Sequence, residues 1–394
     1  MVSQQMYALG SNRSCIRDLF EYGLQQAALI GAENVYDYSI GNPSVPAPEA
    51  VGAAFAATIA QKNTVAVHSY TSATGINAVR EAVSSDLNAR FGTSLQPEHL
   101  FFTCGAAPAL IAVLRALAVE NAEFVAIAPF FPEYRPFVEG TGSKFVLVEA
   151  DTATFQISTT ALEAAITPNT QAVMVNTPNN PSGVVYTRET LEELAALLGK
   201  KSAQYGHPIY IIADEPYREL VYDGVEVPFI PTIYKDTIVC YSYSKSLSLP
   251  GERIGYICIG ADVADSAQVM AAVAGASRVS GHVCAPSLQQ LVVAQCATVR
   301  PDLTIYDQNR QTLYTALTGY GYECVYPKGA FYMLVKAPEG SGAAFSKRAM
   351  GKNLLLVPGD DFGIPEYVRI CTCVSPEMIQ RSLPAFEALA KETV

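Results

Sequence analysis

The sequence predicts an α/β architecture, a mostly parallel sheet covered by helices on both faces. Three observations carry that expectation. Short apolar runs rich in β-branched residues recur through the middle of the chain, they are continuous rather than alternating, and helical patterns separate them. Of the 394 residues, 50% are hydrophobic and 16% charged, so a sizeable core can form and intrinsic disorder is excluded. At this length two lobes are expected rather than one.

In chain order, residues 102–108 end a short strand and open an apolar helix. Residues 124–129, 145–148, 172–176, 209–213, 237–241 and 254–259 read as buried strands bounded by Pro, Gly or polar residues. Residues 188–198 read as a helix, with Thr187 as its N-cap and Glu189 placing a negative charge in the first turn. The chain changes character in its last hundred or so residues. Residues 303–317 look helical, 331–335 and 368–371 look like strands, and 376–391 look like a closing helix, together a smaller α+β lobe. The first 45 residues, in which 37–40 run into a Gly-Asn-Pro turn, are expected to pack with it.

Composition narrows the function classes. A net charge of −11 and a pI near 4.9 argue against non-specific nucleic-acid binding and against docking on an anionic membrane. Nine cysteines, an odd number with no C-x-x-C spacing, point to free thiols in a reducing compartment. Four scattered histidines make no zinc spacing and no histidine triad, so no metal site is expected. The N-terminus has no apolar stretch of the signal-peptide kind, and no apolar run reaches a membrane span. A cytoplasmic setting is expected.

Ligands in open α/β sheets bind beyond the carboxyl ends of the strands. The polar residues that follow the apolar runs are therefore the candidates. After 237–241 comes Ser242-Tyr243-Ser244-Lys245-Ser246. A half-buried lysine there loses solvation of its ammonium form and becomes a nucleophilic amine, whereas on a surface loop it is inert. After 209–213 comes Asp214-Glu215-Pro216-Tyr217. An Asp directly behind an apolar strand is either buried and in need of a partner or a helix N-cap. After 172–176 comes Thr177-Pro178-Asn179-Asn180-Pro181-Ser182-Gly183, by itself a turn.

Together, and in this order, N-x-P-x-N-P-[ST]-G, D-E-x-Y and S-x-S-K with R-x-G behind resemble the class I/II aminotransferases. These are pyridoxal-phosphate enzymes of fold type I, related to aspartate aminotransferase. The resemblance covers nearly the whole chain. It implies a seven-stranded, mostly parallel sheet in a large cofactor-binding lobe over residues 46–295, and a small lobe made of 1–45 and 296–394. It implies that Lys245 holds pyridoxal phosphate as a Schiff base and later moves the substrate's Cα proton. Asp214 pairs with the ring nitrogen, and Tyr217 and Asn180 bond the phenolate oxygen. The turn Gly105-Ala106-Ala107 offers backbone donors to the phosphate, although a hydroxyl residue often found there is missing. Ser242, Arg253 (eight positions after Lys245) and, more weakly, Ser244 complete the phosphate set. Phe131, in the P-x-[FYW]-x-x-Y string of residues 129–134, stacks on the ring. Tyr70, in a Y-x-x-x-x-G segment, reaches the phosphate of a neighbouring subunit, which implies a homodimer. Arg369 and the backbone of Gly41 take the substrate α-carboxylate.

Transamination of an L-amino acid with a 2-oxo acid such as 2-oxoglutarate is the implied reaction, with aspartate the leading donor and aromatic or neutral amino acids behind it. A C–S β-lyase or related elimination enzyme is the alternative. A non-catalytic sensor of cofactor or amino acid is remote, because the motifs begin near Asp37 and Lys245 is intact. Aspartate needs a second cation for its distal carboxylate. Arg13 and Arg17 are the candidates, as part of a lid over the cleft.

Overall fold

The computed structural model describes residues 1–11, 15–61 and 64–392. A seven-stranded sheet runs in the spatial order Leu100–Thr103, Gly255–Ile259, Thr237–Ser242, Tyr210–Asp214, Thr170–Asn176, Glu123–Ile127, Lys144–Val148. Five of these strands pair parallel, and Gly255–Ile259 runs antiparallel to both of its neighbours.

The period of two along each strand divides the core. Val173, Val175, Ile211, Ala213 and Val239 join one apolar cluster with Val79, Val83, Leu87, Leu191 and Leu194 from the helices Asn77–Phe91 and Arg188–Tyr205. The intervening Ala172, Met174, Ile212, Ile238 and Cys240 face the other cluster, with Leu110, Val113 and Leu117 of Ala106–Leu117 and Val269 and Val273 of Ser266–Val279. Burial on both faces is why the strands read as continuous apolar runs. It says nothing of direction, so the antiparallel strand Gly255–Ile259 carries the same pattern as its parallel neighbours.

Two expected boundaries differ. The strand expected over 124–129 stops at Ile127, since Pro129 has no N–H with which to continue the ladder. The helix expected to end at 198 runs on to Tyr205, beyond its apolar stripe, and stops at Gly206 in the left-handed region, φ 77°. Its N-cap is Thr187, whose hydroxyl accepts from the Thr190 N–H at 3.2 Å.

A second sheet lies toward the C-terminus, in the order Val357–Pro358, Tyr367–Cys371, Tyr332–Lys336, all antiparallel. A two-residue strand, Tyr36–Asp37, pairs parallel with Leu354–Leu355. Tyr38 is wholly buried against Phe386, and its hydroxyl lies 2.6 Å from that of Ser382. Leu19 of helix Cys15–Ile30 packs with Leu334, Val357 and Phe362. Among the described residues no helix is long and apolar enough to cross a membrane.

Candidate active site

Register sets the carboxyl ends of three central strands side by side. Asn176 pairs with Asp214, and Asp214 with Cys240, two residues before Ser242. Each strand then hands over to one of the strings singled out in the sequence, so Asn180, Asp214 and Lys245 come from neighbouring strand ends. Asn176 braces this edge. Its amide donates to the Asp214 carbonyl at 2.8 Å and its Oδ1 accepts from the Asn180 N–H at 2.7 Å.

Asp214 is 5% exposed and ends its strand, so it is not a helix N-cap. Its Oδ2 accepts from the Tyr134 hydroxyl at 2.6 Å, whereas Oδ1 is buried with no partner. Burial pushes its carboxyl up to about 7, against the lowering effect of the Tyr134 bond. A buried carboxylate oxygen with nothing to accept from is costly unless a further donor arrives. A protonated pyridine nitrogen is such a donor.

Lys245 sits in the short helical turn Tyr243–Ser246 and is half-buried. Its Nζ donates to the Gly41 carbonyl at 2.7 Å and lies 5.5 Å from the centroid of the Phe331 ring. Burial holds its ammonium below the ordinary lysine range. The nearby Arg369 and Arg253 charges lower it further, while the Cys373 and Cys371 sulfurs oppose the shift. The shift favours the neutral amine.

Arg369 is 2% exposed, on the central strand of the small sheet. Its Nη1 donates to Asn180 Oδ1 at 3.1 Å, its Nη2 donates to the Ser39 carbonyl, and its Nε is buried without a partner. The Tyr332 and Phe362 rings flank the guanidinium at 4.7 and 5.1 Å. Gly41 lies on the same segment as Ser39, and a Cβ there would overlap the Tyr332 hydroxyl. That hydroxyl lies 2.9 Å from the hydroxyl of Tyr217, which is itself buried.

The remaining expected residues surround these. Gly105 precedes the helix Ala106–Leu117 with φ 99°, a conformation open to glycine, and a Cβ on it would stand 2.8 Å from Arg253 Nη2. Arg253 itself is exposed and donates from Nη1 to the Pro250 carbonyl at 2.9 Å. Ala106 and Ala107 open the helix, so their N–H groups are among the first-turn donors that no helix carbonyl reaches. The Ser242 hydroxyl caps the turn that carries Lys245 and lies 2.6 Å from that of Ser244. Phe130 is buried against Phe145, while Phe131 is half-buried and meets Tyr134 edge-on at 5.7 Å. Tyr70 is 95% exposed. Arg17 is exposed on the first turn of Cys15–Ile30, and Arg13 lies outside the described residues.

Gly105 without a Cβ beside Arg253, the orphaned Asp214 oxygen and a lysine whose ammonium form burial disfavours fit a cofactor with a phosphate, a basic ring nitrogen and an aldehyde. Sequence reading missed the parts of Tyr134 and Tyr332. The first stood in the P-x-[FYW]-x-x-Y string without a role. The second was only an interior residue of an expected strand.

Comparison with known proteins agrees in kind. The family described as aminotransferase class I and II matches residues 32–386. An aspartate/prephenate aminotransferase of Thermus thermophilus is 31% identical over 357 residues, 88% of each chain. An aromatic-amino-acid aminotransferase of Thermococcus litoralis is 29% identical, covering 97% of this chain and 96% of its own. Among solved structures, an aminotransferase from Eubacterium rectale superposes with a TM-score of 0.98 at 51% identity, covering 100% of this chain and 99% of its own. The aspartate aminotransferase of T. thermophilus with maleate gives 0.86 at 26% identity and 99% coverage of both chains.

Proposed function

The chain belongs to the class I and II aminotransferases, enzymes that depend on pyridoxal phosphate, and on that premise we propose that it moves the α-amino group of an L-amino acid to a 2-oxo acid such as 2-oxoglutarate. The observation that carries this reading is the segment Ser39–Gly41. Its Gly41 carbonyl accepts from Lys245 and its Ser39 carbonyl accepts from Arg369, so one stretch of backbone holds an amine and a carboxylate clamp side by side. An α-amino acid carries its amino group and its carboxylate on one carbon, so both can be met side by side.

In this mechanism the guanidinium of Arg369 grips the substrate α-carboxylate, with the Gly41 backbone beside it. Arg253, Ser242 and the first-turn N–H groups after Gly105 hold the cofactor phosphate. Asp214 Oδ1 would accept from the ring nitrogen, Phe131 would stack on the ring, and Tyr217 and Asn180 would hydrogen-bond its phenolate oxygen. Pyridoxal phosphate, when bound, supplies the sink for the electrons released at Cα. The Lys245 amine, whose ammonium form burial disfavours, would take the proton from the substrate Cα. Closure of the small lobe over the substrate excludes water from that transfer.

Aspartate is the leading donor, supported by relatives named for it in Thermus and Thermotoga maritima. Arg17 and Arg13 are the candidates for its distal carboxylate. Aromatic donors come second, in line with the T. litoralis relative. The exposure of Tyr70 supports a homodimer in which that residue reaches the partner's phosphate site. A panel of amino acids assayed with 2-oxoglutarate tests the reaction. Transfer to glutamate is the expected outcome. Pyruvate and ammonia released without an acceptor would establish a β-lyase instead.

A further inference from the structure

Two buried thiols lie just beyond Arg369 in the chain, and transamination uses neither. Cys371 ends the strand that carries Arg369, and Cys373 follows two residues later. Arg369 and Cys371 are two apart on the strand and share a face, and Cys373 lies just beyond the strand's end. The two sulfurs are 2.9 Å apart, unbonded, in residues 0% and 4% exposed. Cys373 Sγ also lies 3.9 Å from the carbonyl of Ile40, the residue before the Gly41 that holds Lys245. The pair packs with Tyr217, Phe331 and Tyr332.

We infer that Cys371 and Cys373 are a modification site, a dithiol that a hydroperoxide closes to a disulfide and thereby switches the enzyme off. A disulfide bond is about 2.05 Å long, so each sulfur has well under 1 Å to travel. Desolvation raises the Cys371 thiol, but the Cys373 hydrogen bond and the Arg369 charge outweigh it and hold the thiol below its ordinary value, while burial pushes Cys373 up. Cys371 is therefore the sulfur that attacks. It takes the near oxygen of hydrogen peroxide as the O–O bond breaks, and the hydroxide released picks up the Cys371 proton as water. The sulfenic acid so formed is attacked by Cys373. An S–S bond forms, the S–O bond breaks, and the hydroxyl leaves with the Cys373 proton as a second water. The two sulfurs supply the two electrons that reduce the peroxide.

The seam around the pair explains the loss of activity. The Cys371 N–H donates to the Tyr38 carbonyl at 3.0 Å and the Thr372 N–H to the Phe331 carbonyl at 2.8 Å. Drawing the sulfurs together bends the backbone between these bonds, two residues from Arg369 and against the ring beneath Lys245.

Holoenzyme is treated with hydrogen peroxide, alkylated and mapped, with activity followed in parallel. The expected result is the loss of two hydrogens from the intact mass, both thiols protected from alkylation in one peptide, and kcat/KM lowered at least fivefold and restored by a dithiol reductant. Cys373→Ser and Cys371→Ala each abolish the reversible part of that loss, each variant compared with its own untreated sample. Full alkylation of both thiols after peroxide, a bridge mapped elsewhere (Cys104 with Cys284, for instance), or a bridge at this pair without loss of activity overturns the inference. Thiol mapping is independent of which amino acid the enzyme uses, so failure here is distinguishable from failure of the aminotransferase reading.

Discussion

The hydroxyl of Tyr134 donates to Oδ2 of Asp214 at 2.6 Å, and Oδ1 of that carboxylate is left buried with no partner. One side of the carboxylate is thus fixed by the protein and the other is open for a ligand. The arrangement is costly in the empty protein, and pH exposes the cost. Burial raises the folded-state value to about 7 from an ordinary 3.8. Between those values the folded state keeps a proton that the unfolded chain has lost, so stability falls as pH rises from about 4 to 7. The full effect is of the order of 4 kcal/mol. Cofactor-free protein is expected to melt at lower temperature at pH 8 than at pH 5. Asp214→Asn should flatten that difference, as should bound cofactor. Equal slopes for wild type and variant would rule this out.

Tyr134→Phe removes the bond that holds Oδ2 and leaves the rest of the ring in place. Hydrogen bonds to charged groups contribute about 1.5–3 kcal/mol. The cofactor dissociation constant is expected to rise at least tenfold, read by equilibrium dialysis or by quenching on titration. An unchanged constant would mean that the carboxylate is oriented by other contacts.

Lys245→Ala should cost kcat a factor of at least about 10³, within the range of a lost proton-transfer group. It should also abolish the visible absorbance that the wild type shows with added pyridoxal phosphate. A colourless wild type under the same conditions would refute the cofactor assignment.

Much of this was legible because the strings were local. The strings that hold Lys245, Asp214 and Asn180 each follow an apolar run directly, and Arg369 lies behind a Gly-Asp-Asp-Phe-Gly turn. The buried strands were legible too, since burial on both faces writes itself as unbroken apolar sequence. The antiparallel run of Gly255–Ile259 left no such trace. Neither did the contacts made across the fold. Tyr134 meets Asp214 eighty residues on, and Tyr217 meets Tyr332 115 residues on. Each tyrosine alone reads as a core aromatic, and only the packing of the strands makes it a partner. The Cys371–Cys373 pair shows the opposite gap. Its spacing is plain in the sequence, but the proximity of the sulfurs depends on how the chain leaves its strand.

Gly41→Ala tests the contact between the N-terminal segment and the small sheet. The added Cβ would overlap the Tyr332 hydroxyl, which is hydrogen-bonded to Tyr217. Overpacking a filled site costs about 1–3 kcal/mol. A Tm drop is expected, with a fall in kcat/KM because Gly41 carries the carbonyl that holds Lys245. Tyr332→Phe removes the nearest atom and should recover part of both in the double variant. Purely additive losses would place the strain elsewhere.

Arg369→Lys is the sharpest test of the substrate clamp, because charge is kept and geometry is lost. Arginine here uses Nη1 on Asn180 and Nη2 on the Ser39 carbonyl while its Cζ lies 4.7 Å from the Tyr332 ring centroid and 5.1 Å from that of Phe362. A lysine ammonium is a point charge on a flexible stem. It cannot stack on an aromatic ring or offer a parallel pair of N–H groups. Loss of one properly paired buried contact of this kind costs about 2–5 kcal/mol. KM for the amino acid is therefore expected to rise at least about thirtyfold, with kcat reduced less. The loss should vanish for an amine that lacks the α-carboxylate, since that substrate never used the guanidinium. Equal losses for the amino acid and the amine would show that Arg369 shapes the site rather than gripping the carboxylate. Lysine activity near the wild-type level would show that charge alone suffices.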